Sequence, residues 1–94
     1  MDKIKRARIR LALFAYAYEF KSDSMISDTE FDRLSLELDY TTPTDNKEID
    51  EFFRTEFQPH TGMWVRKHPD IATGKLEQLY QYISRNIKAN SRAH

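Results

Sequence analysis

The stretch that most constrains the fold is the first helix-like run, Lys3 to Lys21. Projected at about 100° per residue, the α-helical step, Ile4, Ala7, Leu11, Phe14, Ala15 and Tyr18 fall on one stripe. Ile9, Leu13, Tyr16, Ala17 and Phe20 fall on a second, nearly opposite stripe. Lys3, Arg6 and Arg10 line one flank between them, and Lys5 and Arg8 line the other. A surface helix carries one apolar face. Two such faces predict a central helix with other elements packed on both sides.

Few residues remain to build those elements. The chain has 94 residues, enough for one domain with a thin core and a stability of a few kcal/mol. Six Phe, five Tyr and one Trp carry most of the burial available to it. Two Gly, three Pro and the lack of β-branched runs favour helices over a sheet. The expected fold is all-α, a small bundle of about four helices, with residues 1–39 forming a helix hairpin. Residues 40–94 supply a short helix, an irregular Trp-containing segment and a last helix.

Local signals place the boundaries. Asp2 suits the cap of the first helix, and Lys21-Ser22-Asp23-Ser24 is a polar connector. Ser27-Asp28-Thr29-Glu30 is a capping box, in which the serine hydroxyl and the glutamate carboxylate satisfy each other's free amides. Phe31, Leu34 and Leu38 follow at helical spacing, so the second helix covers about Asp28 to Asp39. The short connector folds it back antiparallel. Tyr40 to Thr44 is a loop around Pro43. Asp45 to Glu48 offers a second capping box before the stripe Ile49, Phe52, Phe53 and Phe57. His60 to Asp70 is expected to be irregular, with Gly62 permitting a close backbone approach or a positive φ, Trp64 folded inward and Pro69 ending the segment. Leu76, Leu79, Tyr80, Ile83 and Ile87 mark a last helix from Thr73 or Lys75 to Lys88, followed by a frayed tail from Asn90 to His94.

Composition also excludes classes. Fifteen basic residues balance fifteen acidic ones, so the chain is no polycation built for nucleic acid. No cysteine means no disulfide framework or thiolate metal site, and suits a reducing cytoplasm. The basic start before Leu11 to Phe20 imitates a signal peptide, with Ala15-Tyr16-Ala17 as a mock cleavage site. Cleavage there would leave only Leu11 to Phe14 uninterrupted, against the roughly 7–15 apolar residues required. No run approaches the ~20 apolar residues of a membrane span.

Tyr16-Ala17-Tyr18-Glu19, followed by Ile26-Ser27-Asp28-Thr29-Glu30-Phe31-Asp32-Arg33-Leu34, resembles the N-terminal Ia domain of bacterial NAD-dependent DNA ligases. That domain opens with a helix hairpin carrying Tyr-x-Tyr-[His/Tyr] and then Ile-[Ser/Pro]-Asp-x-Glu-Tyr-Asp-x-Leu. The resemblance covers residues 16–38. It implies a hairpin that grips the nicotinamide mononucleotide half of NAD, through Tyr18, Asp28, Phe31 and Asp32 here. Glu19 stands where the family places His or Tyr, and Phe31 lacks a tyrosine hydroxyl. No Lys-x-Asp-Gly motif follows, hence no lysine to accept AMP. The segment from His60 to Pro69 is faintly similar to small uncharacterised phage proteins.

Each candidate has a plain structural alternative. Asp28 and Asp32, one turn apart, could accept hydrogen bonds from a ribose or a carboxamide; otherwise Asp28 answers the helix dipole and Asp32 is solvated or pairs with Arg33 or the first helix's arginines. Lys3, Lys5, Arg6, Arg8 and Arg10 could meet phosphates, or form a solvated flank with internal salt bridges. His60 and His68 lack a third ligand for zinc and a partner for acid–base work. No serine lies in a nucleophile motif. Trp64 and Tyr82, with Arg6 and Arg10, are candidate partner contacts; Trp64 could equally be the core's largest side chain.

Three functions follow, none enzymatic. The first is a protein–protein interaction module of the phage inhibitor or adaptor kind. The second is a nicotinamide-nucleotide binding module, and the third nucleic-acid binding through the basic helix. A partner surface requires an exposed aromatic patch at Trp64 or Tyr82. A nucleotide site requires Tyr18 and Asp32 to converge on a cleft beside an arginine. No metal and no membrane contact are expected.

Overall fold

A computed structural model of the chain describes the backbone of residues 3–92 and the side chains of residues 3–86. The cap expected at Asp2, the side chains of Ile87 and Lys88, and residues 93–94 of the expected tail lie outside the described residues. The fold is all-α: α1 (Lys3–Lys21), α2 (Asp28–Glu37), α3 (Lys47–Glu56), a 3-10 helix (Met63–Lys67), α4 (Pro69–Ala72) and α5 (Lys75–Arg92). No described helix is long and apolar enough to cross a membrane.

Helix α1 is central, as its two stripes require. Leu11 and Ala15 are buried from the first stripe; Leu13, Tyr16 and Ala17 are buried from the second. Phe31 and Leu34 of α2 pack against the core on the first side. On the second, the Tyr16 ring meets Tyr80 of α5 edge-on at 6.3 Å and its hydroxyl donates to Glu77. The lone-pair acceptor and burial together push the Tyr16 phenol up to about 12, burial contributing most. Glu77, also bonded to Lys21 at 2.7 Å, is drawn down to about 2, first by that lysine.

A third neighbour was not expected. The 3-10 helix lies along α1 with Trp64 and Val65 buried. Its turn is closed by the Val65 amide donating to the Gly62 carbonyl at 3.1 Å and the His68 amide to the Val65 carbonyl at 2.9 Å. Pro69 ends it and also opens α4, because a first-turn proline costs no helical hydrogen bond. The His68 Nδ1 caps α4 by accepting from the Asp70 amide at 3.0 Å.

Phe52, Phe53, Phe57 and Trp64 form the centre of the core, with ring centroids 5.1 to 6.1 Å apart. Phe53 is wholly excluded from solvent, and its loss would cost about 3–5 kcal/mol.

Two local readings are corrected. The cap of α3 is Asn46, which accepts from the Ile49 amide at 3.1 Å; Asp45 instead pairs with Lys5. Arg8 does not belong to a solvated flank: it is 2 % exposed. Its Nε donates to the Asp39 carbonyl, Nη1 to Asp50 Oδ1 and Nη2 to the Thr42 carbonyl, each at 2.9 Å, while the guanidinium lies over the Phe53 ring. Asp50 also accepts from the Thr44 amide at 2.7 Å and hydroxyl at 2.6 Å. These bonds, with Thr44 foremost, hold its carboxyl below the usual range.

Candidate functional site

Tyr18, Asp28, Phe31 and Asp32 line one cleft of about 350 Å³ between the end of α1 and the start of α2. Several local features set them there. Ser22 adopts a positive φ of 51°, and the Asp23 amide bonds back to the Ala17 carbonyl at 3.0 Å, a helix end that turns the chain sharply. Half of the expected capping box restarts the chain: Ser27 Oγ accepts from the Glu30 amide at 3.1 Å, while the Glu30 carboxylate is held by Arg33 instead of reaching back to Ser27. This puts Asp28 in the first turn of α2 and Asp32 one turn on, on the same side. Phe31 is half-buried between the cleft and the core.

The far wall is His60, Thr61 and Gly62. Gly62 has a negative φ of −98°, so its role is close approach. A Cβ there would stand 3.3 Å from Ala15 Cβ and 3.6 Å from Phe31 Cζ. The third segment therefore sits directly on the helix hairpin.

The cleft is acidic. The Asp28 and Asp32 side chains have no hydrogen-bond or ion-pair partner among the described residues. Arg33, an expected partner for Asp32, is instead held by Glu30 and, at 3.0 Å, by Glu37. That contact raises the Arg33 pKa and lowers that of Glu30. Glu19 also lines the cleft but is neutralised by Arg66, whose Nε donates to it at 2.9 Å and whose guanidinium covers the Phe20 ring. Among the described residues no arginine lines the cleft itself, so the expected arginine beside Tyr18 and Asp32 is not found there; Arg66 stands behind Glu19. An acidic cleft with exposed tyrosine suits a cationic or hydrogen-bond-donating aromatic group better than a bare phosphate.

The candidate partner contacts divide. Trp64 is 4 % exposed and cannot be a surface anchor in this structure. Its indole fits among Phe52, Phe53 and Phe57, which gain more from burying it than a surface would. Tyr82 is 66 % exposed. Arg6 and Arg10 stay on the surface, Arg10 over the Phe14 ring. With Arg8 withdrawn and Lys5 paired to Asp45, the basic row is thinner than its sequence.

Among the described residues, no three His, Asp or Glu side chains are grouped as metal ligands would be. His68 is buried against Phe52 and Phe53, and burial pushes its pKa down. Sequence reasoning missed His60 and Thr61 as a wall of the cleft; the only sign of that wall was the close approach that Gly62 permits. No family model, curated protein or solved structure matches the chain.

Proposed function

We propose that this chain is a non-enzymatic binding module whose cleft takes the nicotinamide riboside end of an oxidised nicotinamide nucleotide. One observation carries the reading. Four residues named through the ligase-like stretch, and spread over fifteen positions of two helices, line a single cleft with Glu19.

The chemistry is consistent with that ligand. An oxidised nicotinamide ring is a cation, and Tyr18 presents a largely exposed aromatic face to it. Asp28 and Asp32 are acceptors for ribose hydroxyls and for the carboxamide NH₂. Phe31 contributes a ring edge and no hydroxyl, so the polar contacts fall to the two aspartates. A phosphate gains nothing from this acidic lining and belongs at the mouth. The reduced ring is uncharged and should bind about tenfold more weakly, ~1.4 kcal/mol. The absence of cysteine suits a reducing cytoplasm for such a module.

An NMR titration of the labelled chain with nicotinamide mononucleotide, NAD, NADH and AMP tests this. Expected are saturable shifts at Tyr18, Asp28, Phe31 and Asp32 with the oxidised ligands, lost in Asp32→Ala. No shift at millimolar ligand, or equal shifts with AMP, would overturn it. A protein-interaction module, an inhibitor or adaptor, is the second reading. Tyr82 favours it, exposed beside Ile9, which is 40 % exposed; Trp64 no longer does.

A further inference from the structure

A second concavity, of about 560 Å³, lies between α1, α3, α4 and α5 and shares no lining residue with the cleft. This is within the range of small-molecule sites. Its floor includes Phe53 and Leu76, and its walls Ile9, Ile49, Leu79 and Tyr82. Ile9 and Tyr82 are left largely in water at the lip.

The polar lining is uneven. His68 is 6 % exposed and lines the groove. Its Nδ1 accepts the Asp70 amide proton, which fixes the ring proton of the neutral imidazole on Nε2. That Nε2–H has no partner among the described residues. Lys5 and Lys75 stand in the lining as well, and Lys75 forms no ion pair among the described residues. Among the described residues Asp70 is the one acidic residue lining the groove. Arg8 and Lys5 bring no net charge, because Asp50 and Asp45 answer them. The groove thus offers apolar walls, one lysine with no ion pair and one imidazole N–H with no acceptor among the described residues.

We propose that this groove binds a fatty or aromatic monocarboxylate, its apolar body against Ile9, Leu79 and Tyr82 and its acid group taken by the His68 Nε2–H and Lys75. A carboxylate supplies what both groups lack. A neutral alcohol of the same length can accept from the N–H but offers the Lys75 ammonium no counter-charge. This inference is independent of the nicotinamide reading, since the two sites share no residue.

Decanoate and decanol, titrated separately into the labelled full chain below their aggregation limits, test it. Expected are saturable shifts at Ile9, Leu79, Tyr82 and the His68 ring, with decanoate at least tenfold tighter than decanol. Tyr82→Ala, at an exposed position, should weaken both ligands several-fold. Lys75→Glu should abolish the preference for decanoate while leaving decanol binding in place. Equal affinity for the two ligands would overturn the acid recognition, and the absence of saturable shifts would overturn the site. Ligand-free self-association abolished by Tyr82→Ala would also overturn it, by making a second copy of the chain the occupant.

Discussion

Replacing Arg8 tests the interior most severely. Arg8→Met keeps the aliphatic stem over Phe53 and removes the guanidinium. Three acceptors then lose a donor at 2.9 Å: the Asp39 and Thr42 carbonyls and the Asp50 carboxylate. Asp50 keeps Thr44 but loses its counter-charge in a site where both partners are buried. Removing one partner of a buried pair costs about 3–5 kcal/mol. A 94-residue domain has about 5–14 kcal/mol in total, so the variant should lose at least about a fifth of its stability. At 4–8 °C per kcal/mol for a domain this size, the melting temperature should fall by at least ~12 °C. Arg10→Met, on the exposed side of the same helix, should cost under ~0.5 kcal/mol. Arg8→Lys should lie between them, since an ammonium keeps the charge but cannot span three acceptors. Urea unfolding followed by circular dichroism reads all three. Adding Asp50→Asn to Arg8→Met should cost less than the two changes summed. If Arg8→Met unfolds within 1 kcal/mol of the parent chain, the view of Arg8 as the tie between α1, the 39–42 loop and α3 is wrong.

Other measurements follow from the same geometry. The Ser35 hydroxyl is buried without a partner, so Ser35→Ala should stabilise the chain by about 1 kcal/mol in urea; a loss instead would mean that the hydroxyl is satisfied. The Tyr16 phenol, raised from 10.0 to about 12, binds its proton more tightly in the folded chain. Stability should therefore be whole below pH 10 and decline between pH 10 and 12, with Tyr16→Phe reducing the late-ionising tyrosine absorbance and leaving that of Tyr80, whose phenol is raised by its bond to Asp23. His68 has its pKa lowered by burial, with Asp70 opposing. Its contribution should be complete above pH 6.5 and lost as pH falls below that value; the drop in urea midpoint from pH 7 to pH 5 should shrink in His68→Gln.

What could be read from the sequence was what is local or periodic. Helix α1 carries its own signal over five turns, and its two stripes foretold neighbours on both sides. The Ser27 cap marked the start of α2 to the residue, although the Glu30 half of the box went to Arg33. Helix α2 ends at Glu37, before the expected Asp39, and α5 continues past Lys88 to Arg92, since helix ends depend on weak terminal contacts. The 3-10 helix escaped because five residues are too few for a period. Arg8 was assigned to the surface because nothing near it in the chain announces Asp50, forty-two positions on. The near wall of the cleft came from a sequence resemblance within one hairpin, and the far wall needed the tertiary contact of Gly62 with Ala15 and Phe31.

That contact makes the cleft a composite. One wall belongs to residues 14–32 and the other to residues 60–62, and they meet where a Cβ would be only 3.3 Å from Ala15. Lifting the second wall off α1 would erase the site while both hairpin helices stayed formed. Occupancy and closure are then one equilibrium, and a ligand holding the walls together would slow amide hydrogen exchange at Val65, whose N–H is bonded to the Gly62 carbonyl. A side chain at position 62 would do the reverse, dissociating affinity from helicity: a chain with its helices intact and nothing for the ligand to enter.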